Sequence, residues 1–204
     1  AANVAPTVSL TAPAANASYT APASVVVTAA ATDSDGTVAK VEFLRDGVLL
    51  GTDAIAPYAY TWSSVPAGVY KLTARAYDNG GATSTSPIVT VQVKANVGPT
   101  VRITAPATNA AYTAPATIAI AATATDADGT IGKVDFYQGA AKIGTDTTSP
   151  CGFTWNNGGG GTYSITAKAT DDKGGVGASA AIVVKVNKPP SANVTAPANN
   201  ASFA

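Results

Sequence analysis

Apolar and polar residues alternate along most of this 204-residue chain. In Val69–Tyr77 every second residue is apolar, and the positions between them hold Lys71, Thr73 and Arg75. A period of two places alternate side chains on opposite faces of a β-strand. No segment shows the apolar period of an amphipathic helix. The pattern therefore predicts a protein built from strands.

The alternating pattern occurs twice, with an offset of 93 residues and no insertion between matched positions. Pro99 corresponds to Pro6 and Asp171 corresponds to Asp78, for example. A third copy begins near the end of the chain, where Pro190 follows Pro99 with an offset of 91. Since fixed-period repetition indicates repeated structural units, we expect two complete repeats and the opening of a third.

Turn signals divide each repeat into short strands. Asp46-Gly47, for instance, is a two-residue hairpin signal, and Val41 and Phe43 are predicted to point inward just before it. The predicted strands of the first repeat are Thr7–Ala12 with a short second piece at Ala17–Thr20, one through Val25–Ala31, Val38–Arg45, Val48–Thr52, Tyr58–Ser63, Val69–Tyr77 and Ile88–Val93. About seven strands in about 90 residues is typical of an Ig-like β-sandwich.

The predicted fold class is therefore all-β, with tandem Ig-like sandwiches of about seven antiparallel strands each. The predicted domains are residues 1–94 and 95–186, and residues 187–204 form a linker and the opening strand of a third, incomplete repeat. One or two strands bury too little surface to offset their ordering entropy. Ser191–Ala196 is thus expected either to continue a longer array or to add as a strand to a neighbouring subunit.

Composition narrows the choice of partners. Only 12% of the residues are charged and the formal net charge is zero, which argues against a nucleic-acid partner and against a polybasic membrane-surface segment. No apolar stretch reaches the length of a membrane span, so we expect no membrane insertion. The chain lacks Met, which indicates that it begins after a processed end or is a fragment.

Catalysis is not expected. Without histidine, the chain cannot form a Ser-His-Asp or Cys-His arrangement or a histidine metal site. Eleven of its twelve acids are aspartates, which favour turns. A glycosidase requires two acids that face each other across a cleft, and acids clustered in turns do not match this arrangement. The single cysteine, Cys151, is predicted to be a buried and inert thiol.

Paired aspartates in two matching turns are candidate calcium ligands, and no other cofactor is expected. The turns are Asp33-Ser34-Asp35-Gly36 and Asp126-Ala127-Asp128-Gly129. They are not EF-hands, because Leu44 stands at loop position twelve, where a glutamate is required. In an Ig-like topology each turn lies at the same end as the turn after the sixth strand. The candidate metal residues are Asp33, Asp35 and Asp78 near Asn3, and Asp126, Asp128 and Asp171 near the linker Lys94–Gly98.

Calcium at the second set is expected to stiffen a junction between domains. The alternative is that the aspartates cap their own turns and that glycine supplies a positive φ. Both interpretations are compatible with the sequence.

Recurring aromatic residues raise the question of sugar binding. Trp62, Trp155, Tyr60 and Phe153 recur in register on an inward face, which favours core packing. Three tyrosines that the other copy does not repeat are candidates for exposed rings. They are Tyr58, Tyr77 and Tyr137.

Several motifs together resemble the bacterial Ig-like repeats of secreted and surface proteins. These are Asp-x-Asp-Gly-Thr, Lys-Val-Glu/Asp-Phe, Pro-Tyr-Ala-Tyr-Thr-Trp and the Gly-Val-Tyr motif that begins at Gly68. The resemblance covers both repeats and the third fragment. It implies a secreted or cell-surface location and a non-catalytic structural role as a rod, spacer or fibre.

The resemblance also implies partners. These are neighbouring Ig-like domains or copies of the chain itself, including a filament that assembles through the C-terminal strand. The alternative function is a polysaccharide-binding accessory module of a secreted carbohydrate-active enzyme, or a cell-adhesion segment of an adhesin.

Overall fold

A computed structural model of the chain describes residues 2–157 and 159–192. The chain divides into two compact units, Ala1–Asn96 (unit 1) and Val97–Ala204 (unit 2), and each is built around its own core. The described residues contain no helix long and apolar enough to cross a membrane.

Unit 1 is a sandwich of two sheets. Its strands are β1 (Thr7–Ala12), β2 (Ser18–Thr20), β3 (Ala23–Thr32), β4 (Val38–Arg45), β5 (Val48–Asp53), β6 (Tyr58–Val65), β7 (Gly68–Asp78), β8 (Thr83–Thr85) and β9 (Val89–Lys94). One sheet has three strands in the order β1-β3-β6, and the other has the order β2-β9-β7-β4-β5 with β8 paired to β7.

Unit 2 repeats this arrangement strand for strand. Its strands are β10 (Thr100–Ala105), β11 (Ala110–Thr113), β12 (Ala116–Thr125), β13 (Ile131–Gln138), β14 (Ala141–Asp146), β15 (Cys151–Asn157), β16 (Gly161–Asp171), β17 (Val176–Ala178) and β18 (Ile182–Asn187). The sheets have the orders β10-β12-β15 and β11-β18-β16-β13-β14, with β17 paired to β16.

Each core lies between the two sheets and is formed by the inward positions of the alternating strands. In unit 1, Val25 from β3 faces Phe43 and Leu72 from the other sheet, and all three side chains are fully buried. Ile118 and Phe136 hold the matching positions in unit 2. The sequence prediction of tandem Ig-like sandwiches is therefore confirmed, including the inward placement of Val41 and Phe43.

The structure differs from the prediction in detail. Within residues 2–157 and 159–192 each unit has nine strands rather than about seven, because the short second pieces are separate strands, β2 and β11, and because the three-residue strands β8 and β17 pair with the long strands β7 and β16. Not every pair is antiparallel, since β2 pairs with β9 in parallel and β11 pairs with β18 in parallel. The predicted strand Ser191–Ala196 extends beyond the described residues, so the third repeat stays a prediction.

Candidate functional site

The first acidic turn lies between β3 and β4, beside the segment through which the chain enters unit 1. Both carboxylate oxygens of Asp35 accept a hydrogen bond from the Val4 N–H, at 3.3 and 3.1 Å. The Asn3 amide donates to Asp78 Oδ2 at 2.9 Å. Asp35 and Asp78 therefore both contact residues 3–4, which connect the two loops.

Asp78 itself caps the loop that follows β7. Its Oδ1 accepts hydrogen bonds from the N–H groups of Gly80 and Ala82, both at 2.8 Å. Burial raises the pKa of Asp78, but the hydrogen bonds from Ala82, Asn3 and Gly80 outweigh burial and hold the pKa below its ordinary value. Both oxygens are therefore used by protein donors, as an aspartate that caps its own turn requires.

Asp33 differs from Asp78, since neither of its oxygens is exposed to solvent or has a hydrogen-bond partner among the described residues. One of these oxygens, Asp33 Oδ2, lies close to the space that a side chain at Gly36 would fill. A Cβ on Gly36 would come within 2.7 Å of Asp33 Oδ2 and 2.4 Å of Asn79 Oδ1. Asn79 Oδ1 accepts the Thr37 N–H at 2.9 Å. Two side-chain oxygens from different loops therefore converge at Gly36.

This geometry corrects the expected role of the glycine. Gly36 does not have a positive φ, in contrast to Gly81 in the following loop, whose φ is 90°. Gly36 is needed because Asp33 and Asn79 occupy the space that any side chain would fill. Gly129 has the same environment, since its Cβ would meet Asp172 Oδ1 at 2.5 Å and Asp126 Oδ2 at 2.7 Å.

The second acidic turn, between β12 and β13, follows the first closely. Asp128 accepts the Val97 N–H with both oxygens, at 3.4 and 3.2 Å. Asp126 Oδ1 accepts the Asp128 N–H at 3.3 Å, whereas Asp126 Oδ2 is buried and has no partner among the described residues. Asp171 Oδ1 caps its own loop through the N–H groups of Lys173 and Gly175, both at 2.8 Å.

Sequence reasoning missed Asn79 and Asp172, the residues that face Asp33 and Asp126. Asp172 Oδ1 accepts the Thr130 N–H at 2.9 Å, and this bond lowers the pKa of Asp172. The two residues are separated by 93 positions and both carry a side-chain oxygen, so comparison of the repeats could have identified them. Among residues 2–157 and 159–192, no group of three or more His, Cys, Asp or Glu side chains is close enough to hold a metal ion.

The recurring aromatic rings contribute to the cores. Trp62 packs edge-on against Tyr70 with ring centroids 4.9 Å apart, and Trp155 packs in the same way against Tyr163 at 5.1 Å. Both tryptophans are partly buried against the cores.

The prediction that Tyr58 is an exposed ring is wrong. Tyr58 is only 7% exposed, because the first residue of β6 points into the core. Tyr77 and Tyr137 are half-buried and lie beneath cations. Lys40 Nζ is 4.2 Å from the centroid of the Tyr77 ring, and Lys168 Nζ is 4.9 Å from the centroid of the Tyr137 ring.

Cys151 takes the position of Tyr58 in unit 2 and is 6% exposed. Burial and the nearby Asp146 carboxylate raise the pKa of its thiol. A thiol with a raised pKa is a weak nucleophile, in agreement with the expected inert role.

Comparisons with known proteins place the chain in a family. The family described as bacterial Ig domain matches residues 6–74 and 99–167, which together make up more than half of the chain. No match is found among curated proteins.

Solved structures of related architecture include the fibronectin(III)-like modules of Clostridium thermocellum CbhA, with 33% identity over 88% of this chain and 93% of that chain and a TM-score of 0.44. A bacterial ice-binding adhesin is 11% identical over 92% of this chain and 67% of its own, with a TM-score of 0.48. The Bacteroides ovatus protein SGBP-B, solved with a mixed-linkage heptasaccharide, is 15% identical over 91% of this chain and 48% of its own, with a TM-score of 0.35. From the family match, which falls once on each unit, the chain belongs to the bacterial Ig domain family.

Proposed function

We propose that this chain is a non-catalytic structural module of a secreted or surface bacterial protein, and that it serves as a spacer that resists tension. The observation that carries the proposal is the parallel pairing of the last strand of each unit with a short strand near its start. In unit 1 Ser18 lies opposite Gln92 and Thr20 lies opposite Lys94. In unit 2 Ala110 lies opposite Val184 and Thr113 lies opposite Asn187.

Parallel pairing determines the direction in which a pulling force loads the hydrogen bonds between the two strands. When the two ends of a unit are pulled apart, β2 is drawn toward its own N-terminus and β9 toward its own C-terminus. Because the two strands run in the same direction, these forces act in opposite senses along one axis. All bonds between the strands are then loaded at once in shear, including Gln92 N–H to Ala17 O at 2.9 Å and Ala21 N–H to Lys94 O at 2.8 Å.

Single-molecule force spectroscopy on the full chain tests this role. We expect two separate unfolding events, each releasing about 30 nm of chain, since about 90 residues extend by roughly 3.5 Å each. Ala21→Pro removes the donor to Lys94 O and should lower the unfolding force of unit 1 only, so that unit 2 provides the reference in the same molecule. Equal forces for both units in the variant, or extension of the parent chain without force peaks, would contradict the proposal.

The state of the buried acids and of the cysteine supports a non-catalytic role. Asp78 and Asp171 are bound to backbone donors, and Glu42 and Asp135 are held in ion pairs on the sheet surface. Cys151 is buried. Each of these groups therefore already has a structural role.

We also propose that calcium stabilises the two acidic turns, with Asp33 and Asp126 as the central ligands. Their unpartnered, buried oxygens support this, because a buried carboxylate oxygen without a partner is costly unless a donor or a cation satisfies it. Asn79, Asp172, backbone carbonyls and water would complete an oxygen coordination sphere, which calcium prefers. The sequence-predicted ligands Asp35, Asp78, Asp128 and Asp171 retain their hydrogen bonds and lie in the same loops.

Thermal melting in millimolar calcium tests the calcium proposal. We expect the melting temperature to rise, and the rise to disappear in the variant Asp33→Asn/Asp126→Asn. The control Asp53→Asn changes an aspartate in another loop and should keep the response. An unchanged melting temperature in the parent chain would refute the proposal.

Filament assembly through the C-terminal strand is a further proposal, motivated by the sequence of residues 187–204. Size-exclusion chromatography and electron microscopy of the full chain and of a chain lacking residues 187–204 would test it. Unchanged assembly after the deletion would remove it.

Polysaccharide binding is the second candidate function. Such binding usually uses exposed aromatic rings on which sugars stack, and the placement of the aromatic residues in this chain gives little support for that arrangement. Tyr58 is buried and the tryptophans pack on the cores. Pull-down on insoluble neutral polysaccharides tests this form of binding, and retention of the chain would support it.

A further inference from the structure

The outer face of the six-stranded sheet in unit 1 is rich in cations, although the whole chain has no net charge. Alternation directs Tyr70, Leu72 and Val93 into the core, so their neighbours on β7 and β9 point outward. Four of the five cations of unit 1 lie on this face, and Glu42 is the acid among them. The cations are Lys40, Lys71, Arg75 and Lys94.

The same face of unit 2 also carries four cations and one acid. The cations are Lys133, Lys142, Lys168 and Lys185, and the acid is Asp135. Only two of these cations match unit 1 by position. Lys71 is replaced by Ser164 and Lys94 by Asn187, while Lys142 and Lys185 stand where unit 1 has Leu49 and Gln92. The excess of positive charge is thus present in both units although individual cations occupy different positions.

The acid on each face is already neutralised by neighbouring cations. Glu42 pairs with Lys40 at 2.7 Å and Arg75 at 3.2 Å, and Asp135 pairs with Lys142 at 2.5 Å and Lys133 at 3.1 Å. The remaining cations are exposed and form no ion pair within the described part of the chain. They are Lys71, Lys94, Lys168 and Lys185.

Neutral hydrogen-bonding side chains lie between these cations. Thr73 and Thr90 neighbour Lys71 in unit 1, and Ser164 and Thr166 lie near Lys168 in unit 2. In unit 1 Lys71 and Thr73 also line an open groove with a volume of ≈ 320 Å³, together with Asp46, Gly47 and Ile88. Asp46, at the rim, is the one acid of this groove, and Gly139 replaces it in unit 2.

We propose that this face of each unit binds an acidic polysaccharide, a polymer of sugars that carry carboxylates at intervals. Sparse lysines separated by hydroxyl groups match a chain with one charge per sugar and neutral hydroxyls between. Nucleic acid is a poorer match, since its phosphates are closely spaced and are met by many cations. Seven of the eight face cations are lysines, whereas arginine favours bidentate phosphate contacts. The inference rests on polysaccharide binding, the second candidate function, and adds that the polysaccharide is negatively charged. It does not depend on the tension-bearing role.

Binding of the full chain to polygalacturonate at low salt tests the proposal, with its fully methyl-esterified form as the uncharged match. We expect binding to the acid form only, and weaker binding as salt rises. Lys71→Gln/Lys168→Gln should weaken binding about 2- to 30-fold, because each exposed charge contact contributes about 0.2–1 kcal/mol. Arg102→Gln/Lys173→Gln removes the same charge from other surfaces and should leave affinity within about twofold.

Each other outcome overturns the proposal in a distinct way. No binding to polygalacturonate excludes the acidic ligand. Equal binding to the methyl ester removes the role of charge but keeps polysaccharide binding as a function. Equal loss in both double variants shows that net charge, rather than this face, is responsible. Tighter binding to a single-stranded oligonucleotide than to polygalacturonate assigns the face to nucleic acid instead.

Discussion

At the scale of single residues, the same residue type performs different tasks according to what lies opposite it. Gly36 leaves room for two side-chain oxygens, whereas Gly81 supplies a positive φ. Asp78 uses both oxygens in hydrogen bonds, and Asp33 uses neither among the described residues. The turn motif in the sequence identifies these residues as important, and only the packing distinguishes their roles.

Two glycines of unit 2 provide a matched pair for this point. A Cβ at Gly144 in β14 would lie 2.3 Å from the Phe153 ring, while a Cβ at Gly152 in β15 would meet only Ile120 O at 3.6 Å. We expect Gly144→Ala to destabilise unit 2 by about 1–3 kcal/mol through overpacking, and Gly152→Ala to change stability by about 0.5 kcal/mol at most. Urea unfolding measures both, and equal losses would contradict the argument.

Cys151 offers a second prediction at this scale. It lines a cavity of ≈ 60 Å³ together with Ile131 and other residues, where unit 1 has Tyr58 and Val38. Cys151→Tyr/Ile131→Val copies the unit 1 pair into unit 2 and should stabilise it by about 0.5–2 kcal/mol, as cavity filling commonly does. Thermal melting checks this. The reciprocal Tyr58→Cys should lower the stability of unit 1, and a gain there would contradict the cavity explanation.

At the scale of elements, the sequence predicted the long strands well because their inward residues alternate without interruption. Observed β7 (Gly68–Asp78) extends the predicted Val69–Tyr77 by one residue at each end. The strands β8 and β17 were missed, because three residues are too few to show a period. Their attachment depends on tertiary bonds such as Ala74 N–H to Ser86 Oγ at 2.9 Å.

The candidate site was also only partly predictable, because some of its contacts join residues that are far apart in the sequence. The expected Ig-like topology predicts Asp35 and Asp78 near Asn3, and in the structure Asp78 contacts Asn3 and Asp35 contacts Val4. It did not reveal that Asn79 reaches across to Gly36, because that contact joins loops that are 42 residues apart. The cationic sheet faces were also missed, since net charge summed over the chain conceals how the charge is distributed.

Asp135 on β13 forms a polar cluster with Lys133, Lys142 and Thr145, and its titration makes the stability of unit 2 depend on pH. Burial raises the pKa of Asp135, but hydrogen bonds from Lys142, Thr145 and Lys133 outweigh burial and lower it to about 2. Because the folded-state pKa is below the ordinary value of 3.8, the stabilisation is complete above pH ~4 and is lost as pH falls toward ~2.

Melting of unit 2 between pH 5 and pH 2 measures this effect. Asp135→Asn should reduce the dependence on pH in that window, and Thr145→Val, which removes one hydrogen bond, should move the loss of stability to higher pH. A parent-like profile in Asp135→Asn would show that other carboxylates are responsible.

At the scale of the whole molecule, each unit contains everything that a sandwich requires. Within the part of the chain that the structure describes, β1 through β9 form the two sheets of unit 1, and β10 through β18 form the two sheets of unit 2. Each unit also has its own buried cluster, with Phe43 in one and Phe136 in the other. Two sandwiches with separate cores are expected to fold as independent cooperative units.

Separate fragments of residues 1–96 and 97–204 should therefore each fold. Each contains one tryptophan, Trp62 or Trp155, packed edge-on against a tyrosine, so fluorescence reports on each unit. We expect both fragments to unfold cooperatively in urea. The m-value scales with the surface exposed on unfolding, so each fragment should have about half the m-value that the intact chain would show if it unfolded in a single step.

The intact chain allows a second test of independent folding. Trp62→Phe leaves Trp155 as the fluorescence probe, and Gly144→Ala should then shift the observed unfolding transition. The matching Trp155→Phe chain, followed through Trp62, should show no shift with Gly144→Ala. A shift there, or fragments without a cooperative transition, would show that the units depend on each other for folding.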